Sequence, residues 1–533
     1  MSNHIMPDQF VPDQFVPDQH APTNTSSKPT CPPKSLQHLG LRWTSMVVAF
    51  ALSAGMIGCT SANTAIPTEF TLNASTDSVD INPGDRLCAD AQTRCSLRAA
   101  IMESNALEGA QSIIIPAGNY LLTLAGANEN AGRTGDLDLS SEIKLIGADA
   151  GTTIIDANGL DRAFHAIGAL NPSVIVTAKN LSVKGGIAVG NGGGWLNEFA
   201  NLTLENVVFS GNSSSENGGG LNTIGGTSTL SNLRFANNIA NGHGGGLSSE
   251  TENAVLKASN FTNNLAKGTS SAGVAFGGGG LFVSQSLEVS GTVLTGNKAP
   301  NGSGGGILNV GRINLITSSL NENQAGVCGG GLASKLNSGA EILTVNASSL
   351  NSNRAGQGAG FCISSGKATL TNTTISENQA SDAGGGLFVE FATTGLIHTT
   401  MTGNTTGASG GSDVFTKELG TVAVRSSILA STAASTCQDS TSGGGITSSG
   451  GNVVGDSSCV FAATADLQNA NPQLSGLSTV SNQVFFVRIP SVGSPALNRV
   501  PANLCSSVDA RGVTRPQGSA CDSGAVERTP SDP

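Results

Sequence analysis

Aromatic and charged side chains are scarce in this chain of 533 residues: 4% are Phe, Trp or Tyr, and 12% are Asp, Glu, Lys or Arg. So little charge argues against a disordered chain, and 71 glycines argue against a helical one. Basic patches are missing too. The net charge is −11, residues 1–58 hold three acids and three bases, and the remaining Lys and Arg are scattered. Such a surface disfavours nucleic acid and other polyanions. The apolar run Met46–Gly58 has thirteen residues, which suits the core of a signal peptide and is too short for an ordinary membrane span. Beyond residue 58 the histidines are His165, His243 and His398, and the only tryptophans of the chain are Trp43 and Trp195. Proton acceptors and flat platforms for sugar rings are therefore few.

What is present is a repeat. An apolar residue, a second apolar residue five positions on, and an asparagine three further recur eight times in 201–404. The first ladder is Leu204, Leu230, Leu256, Val289, Leu315, Val345, Leu370 and Leu396. The second is Phe209, Phe235, Phe261, Leu294, Leu320, Leu350, Ile375 and Met401. The third is Asn212, Asn238, Asn264, Asn297, Asn323, Asn353, Asn378 and Asn404. A Gly-rich run ending in an apolar residue follows most units, as at Leu221, Leu247, Leu281, Ile307, Leu332, Phe361 and Leu387, with an earlier one at Trp195.

A fixed period of this size signals a solenoid. Thr, Val, Ser, Asn and Gly dominate the units, so they read as short strands joined by turns. The expected fold is all-β: a single right-handed parallel β-helix, a pectin-lyase-like solenoid, with a short N-terminal capping helix. Equivalent residues then stack about 4.8 Å apart, which makes the apolar positions interior ladders. Asparagine tolerates left-handed backbone and bonds along a stack, which suits a repeated corner. The glycines supply positive φ and close backbone approach at another corner. No helix with a lysine follows the Gly runs, so they do not read as phosphate loops. Paired with FSGN, FANN and FTNN at 209–212, 235–238 and 261–264, the GGGL runs resemble the repeats of chlamydial polymorphic outer membrane proteins. That resemblance implies a surface passenger domain with an adhesive role.

Residues 1–58 read as a signal peptide with a low-complexity lead, in which PDQFV occurs twice. The run ends MIGC, which is similar to a bacterial lipobox with Met56 in place of Leu. The resemblance implies cleavage before Cys59 and acylation of its sulfur; an ordinary secretory peptide cut nearby is the alternative. Residues 59–80 read as a lipidated tether, with the lipid as the expected anchor. Residues 81–110 read as an N-terminal cap. Ser96 is a helix N-cap, and Leu97, Ala100 and Ile101 form a short apolar stripe. CSLRAA, 95–100, resembles the CSLREA segment at the front of bacterial β-helix proteins, with Ala99 where that family has Glu. Cys88 and Cys95 are expected to pair in an oxidising compartment.

The β-helix is expected over 111–430. Asp136, Asp138, Asp156 and Asp161 invite a catalytic reading, and turn or corner aspartate is the plainer account. Loops 265–276 and 333–342 are longer than their counterparts and are candidates for specificity. Cys328 and Cys362 lie on successive turns in different register, which leaves their pairing open. Residues 431–533 read as a disulfide-stabilised C-terminal region. Its SPA at 494–496, Asp509, Arg511-Gly512, Arg515-Pro516, Asp522, Gly524 and Glu527 resemble the choice-of-anchor Q region, with Asn498 where Asp is usual. This resemblance implies bonds Cys437–Cys459 and Cys505–Cys521 closing the far end, with Asp509, Arg511 and Arg515 as a salt-bridge set.

About twelve turns would make a rod of roughly 60 Å. The leading expectation is a surface-exposed bacterial lipoprotein of the outer membrane or cell envelope that binds or adheres without catalysis. Its expected partners are a glycan or a host or neighbouring cell surface, the membrane through the N-terminal lipid, and no nucleic acid, with the chain a monomer. The alternatives are a polysaccharide lyase or glycoside hydrolase on the same scaffold, and a structural envelope protein. No catalytic, cofactor-binding or metal-binding residue is assigned.

Overall fold

The computed structural model describes residues 66–533 apart from 128, 169–173, 269–275, 336–341, 408–409, 432, 434 and 442–443. Cys59, the signal peptide and most of both longer loops lie outside the described residues. Residues 69–454 form a right-handed parallel β-solenoid of about 11 turns. Its helices among the described residues are Leu97–Ala106 and the single 3-10 turn Ala502–Leu504.

Three parallel faces build each turn, and a narrow eight-stranded strip runs along one corner. The register is the repeat read in space. Leu204 pairs with Leu230, then Leu256, then Val289, and the row continues to Leu396. Phe209, Phe235 and Phe261 form a second row, their rings stacked 5.0 and 4.5 Å apart. Leu137, Phe164, Trp195, Leu221 and Leu247 begin the third. All three rows are buried, because side chains alternate across a strand and one side of each strand faces the core. The rows run on beyond residue 404, with Leu396 opposite Val424 and Met401 opposite Leu429. Backbone pairing carries the coil to Val453–Val454 although the sequence period has faded.

The asparagine row is continuous. Asn238 donates from Nδ2 to Asn264 Oδ1 and to Phe209 O, both at 3.0 Å, while its backbone N–H donates to the same Asn264 Oδ1. The row does not adopt the left-handed conformation expected of it. The residue just before each asparagine does: Gly211, Asn237, Asn263, Gly296, Glu322, Ser352, Glu377 and Gly403 all have positive φ. That turn aims the asparagine inward, where its amide replaces the hydrogen bonds a corner would otherwise lose. At the glycine corner Gly244 has φ +64°, and a Cβ on Gly245 would lie 2.4 Å from Gly279 O on the next turn. Only glycine fits such an approach.

Both ends are covered. At the N-terminal end Glu69–Thr71, within the stretch read as a tether, pairs in parallel with Gln111–Ile115. Ser96 caps Leu97–Ala106 by accepting from Ala99 N. The helix is buried from Leu97 through Ser104 rather than along one stripe, because the segment before it wraps its outer side. Glu103, with no glutamate at position 99, holds that wrap by accepting from Gly84 N and Arg86 N. At the far end Phe461 and Cys459 seal the core, and Leu467 pairs with Val453. The chain then runs back along the side of the coil: Phe486 N donates to Ser349 Oγ, and Gly524 N to Ser426 O.

Four disulfides join Cys88 to Cys95, Cys328 to Cys362, Cys437 to Cys459 and Cys505 to Cys521. The second links neighbouring turns across a Cα separation of 5.7 Å. The fourth lies in the returning segment, on the side of the coil rather than across its end. There Arg511 pairs with Asp509 and Asp532, whereas Arg515 pairs with Glu527. The expected set is therefore divided: Arg511 keeps Asp509, and Arg515 pairs with Glu527 instead.

Candidate functional site

The first turns gather a cluster of ionisable side chains. Strand Leu137–Leu139 turns its two leucines to the core and Asp138 to the opposite side. Asp138 stands opposite His165 on the next turn, in strand Phe164–Ile167. Parallel pairing thus brings two residues 27 positions apart in sequence into one outer row. Asp136 and Asp161 flank them, and Arg162 reaches across, its Nη1 2.9 Å from Asp136 Oδ2.

Each group has a distinct environment. Asp138 is fully buried; its Oδ2 accepts from Gly132 N at 2.7 Å, and its Oδ1 has no hydrogen bond of ordinary length. His165 Nδ1 lies 3.5 Å from that Oδ1, and its Nε2 lies 3.0 Å from Glu198 Oε2. Burial pulls the His165 pKa down, but the carboxylates of Asp138 and Glu198 outweigh it and hold the pKa above the ordinary value. Burial pushes the Asp136 carboxyl up to about 6, against the pull of Arg162. Asp136, Asp138 and His165 each offer a ligand atom within 4.8 Å of the others. Two carboxylates and an imidazole form a donor set able to hold a metal, which was not apparent from their spacing along the chain.

The cap helix positions this cluster. Arg98, inside the CSLR string, donates to the carbonyls of Gly132, Gly135 and Asp136 at 2.8 to 3.1 Å. Its guanidinium is held by Asp77 in a buried ion pair at 2.6 Å. Arg98 therefore shapes the loop from which Asp136 and Asp138 emerge.

A cleft of about 280 Å³ opens over the cluster. Asp136, Asp161, Arg162 and His165 line its polar side, and Leu160, Ile187 and Val189 form an apolar lip. Ile187 is 58% and Val189 91% exposed, so the lip is unpartnered. Of the four aspartates that invited a catalytic reading, three meet here. Asp156 stands apart, 3.1 Å from Lys184 at another corner.

The other histidines among the described residues serve the scaffold. His243 stacks between Phe276 and Phe282, with ring centroids at 4.7 and 4.2 Å, and burial pushes its pKa down to about 4. His398 is buried beneath the returning C-terminal segment, its Nε2 accepting from Ser506 N at 3.2 Å. Of the two longer loops, 269–275 and 336–341 lie outside the described residues.

No protein-family model and no curated protein matches the chain by sequence. The resemblances to the CSLREA, choice-of-anchor and polymorphic outer membrane repeats gain no support from that comparison. Among solved structures, the A-module of the mannuronan C-5 epimerase AlgE6 from Azotobacter vinelandii is similar. Identity is 15%, the TM-score is 0.35, and the match covers 70% of this chain and 90% of that one. The outlines agree only loosely at that score.

Proposed function

We propose that this chain is an exported β-helix rod that binds a carbohydrate at the cleft near its N-terminal end and does not turn it over. The apolar lip above charged groups carries the reading: Ile187 and Val189 offer a surface for the C–H face of a sugar, and Arg162 and Asp161 offer partners for its hydroxyls. The acids of the cleft are tied down. Asp136 is held by Arg162, Asp161 Oδ1 accepts from Arg162 N, and Glu198 is bonded to His165. Groups so engaged suit fixed recognition better than proton transfer. Four disulfides support an oxidising compartment, which fits the outer-membrane lipoprotein read from Cys59 and an adhesive role on the cell surface.

The test is retention of the full chain on acidic and neutral polysaccharides, alongside assays for unsaturated products and new reducing ends. Retention that falls at least ten-fold in Val189→Asp and Arg162→Ala, with no product formed, is the expected result. Product formation would replace the reading by a polysaccharide-cleaving enzyme, and no retention on any polysaccharide would leave a structural envelope rod.

A further inference from the structure

We infer that Asp136, Asp138 and His165 form a binding site for one first-row divalent metal ion, with Zn²⁺ the best fit. The inference does not require any carbohydrate to bind.

The first observation is the orphaned oxygen. Asp138 Oδ1 belongs to a fully buried residue and has no hydrogen bond of ordinary length, although the other oxygen of that carboxylate is bonded to Gly132 N. A buried carboxylate oxygen left bare is costly. The closest basic group paired with it is His165 Nδ1 at 3.5 Å. A charge-assisted hydrogen bond would close to about 2.7–2.9 Å. Two ligands at the tetrahedral angle around an ion with bonds of about 2.0–2.1 Å stand roughly 3.4 Å apart. The observed spacing fits two ligands of a shared ion better than a direct bond.

The second observation is the partner of the imidazole. Glu198 lies 3.0 Å from His165 Nε2. A carboxylate that takes the proton on one ring nitrogen fixes the tautomer and leaves a lone pair on the other, the arrangement usual for a histidine that binds metal. Here that other nitrogen, Nδ1, lies 3.5 Å from Asp138 Oδ1, and a bound ion would replace the proton on it. The third observation is charge. Four carboxylates, those of Asp136, Asp138, Asp161 and Glu198, surround one guanidinium, Arg162, and one imidazole, His165. The excess negative charge is what a divalent cation would neutralise.

The donor set selects the ion. Ca²⁺ takes six to eight oxygen ligands, and an imidazole is a poor member of such a shell. Two carboxylates and one imidazole suit a first-row ion, and three protein ligands leave a fourth position open. That position would face the cleft, since Asp136 and His165 both line it.

The experiment uses the full chain stripped of metal by a chelator, with Zn²⁺ added alone and bound metal read by equilibrium dialysis. The expected result is a bound ion that is lost, or at least ten-fold weaker, in Asp138→Asn, and is unchanged in Asp156→Asn, whose carboxylate lies outside the cluster. Asp138→Asn keeps the volume and an acceptor for Gly132 N; should it fail to fold, His165→Gln provides the same comparison. Co²⁺ substituted for Zn²⁺ should give the intense visible absorption of a four-coordinate site, and X-ray absorption at the zinc edge should show mixed nitrogen and oxygen ligands. Zinc binding that both variants leave unchanged, no binding in the unmodified chain, or equal uptake of Ca²⁺ at this site would each overturn the assignment.

Discussion

Asn404 donates its Nδ2 to Asp413 Oδ1 at 2.9 Å, and this bond ends the buried asparagine row. Every earlier asparagine donates to the next one along the coil. Asn404 has none to meet: Ser431 stands on the next turn and accepts from Asn404 N at 2.8 Å. Asp413 supplies the missing acceptor and also binds Ser431 through its backbone N–H and its hydroxyl. A one-way row of donors must end on an acceptor, and a carboxylate meets that need more fully than another amide.

The position of Asp413 makes the end of the row sensitive to pH. Burial pushes its carboxyl up to about 6, from 3.8 for an ordinary aspartate. Between those values the unfolded chain has released the proton while the folded chain keeps it, so stability falls as pH rises through the window. The stabilising contribution is complete below about 3.8 and lost above about 6. Urea midpoints compared at pH 4 and pH 7 should show Asp413→Asn losing less stability than the parent on going up. An identical pH response in the two proteins would show that Asp413 titrates normally.

Inside the row, removal should be expensive. Asn297 accepts from Asn264 N and Nδ2 and donates to Asn323 Oδ1 and Phe261 O. Asn297→Ala would strand these buried groups at a cost of about 2–4 kcal/mol. Asn237→Gly, one residue before the row at a positive φ of 56°, should be close to neutral, since it keeps the turn and loses only an exposed amide. Urea melts of the two variants provide the check.

Much of the coil was legible because burial on a strand has a period of two and each turn repeats the same corners. Leu204 and Phe209 announced two faces, and Gly245 a corner. The outer row was not legible. It runs through Asp138, His165, Leu196, Asn222, Ser248, Phe282 and Leu308, and its residue types share no pattern. Every one of these residues is buried all the same, and Phe282 and Leu308 pack with Ala333 in a small apolar cluster outside the main core. The candidate site was hidden because Asp138 and His165 meet through register, and no local motif encodes register between turns. The link from Arg98 to the loop before Asp136 was equally silent, since it joins residues about forty positions apart.

Arg98 should therefore control the cleft from a distance. Its ion pair with Asp77 is buried on both sides, and Asp77 also accepts from Thr123 N and Leu124 N. Arg98→Met would leave the Asp77 carboxylate buried without its cation, at a cost of about 3–5 kcal/mol. It would also release three carbonyls in 132–136. Hydrogen exchange should quicken at 130–138 while 280–400 keeps its protection. Uniform acceleration along the whole coil would mean instead that the cap and the rod unfold as one unit.

His398 sets the opposite pH response to Asp413, at a separate place. It occupies the corner position held one turn earlier by Asn372 and has a positive φ of 46°. Burial, reinforced by the nearby Arg515 charge, pushes its pKa down to about 3 from the ordinary 6.5. The folded chain keeps the imidazole neutral, and its Nε2 accepts from Ser506 N in the returning segment. In the unfolded chain the ring takes up a proton as pH falls below about 6.5, so this contribution is full above that value and is lost progressively down to about 3. Acidification should loosen the contact between 505–508 and the coil before the inner turns respond. His398→Asn keeps a side chain that tolerates the left-handed corner and can still accept from Ser506 N, but it cannot titrate. Hydrogen exchange at 505–508, expressed relative to its intrinsic rate at each pH, should rise between pH 7 and pH 4.5 in the parent and stay flatter in His398→Asn. The same rise in both proteins would place the acid sensitivity of this segment in another group.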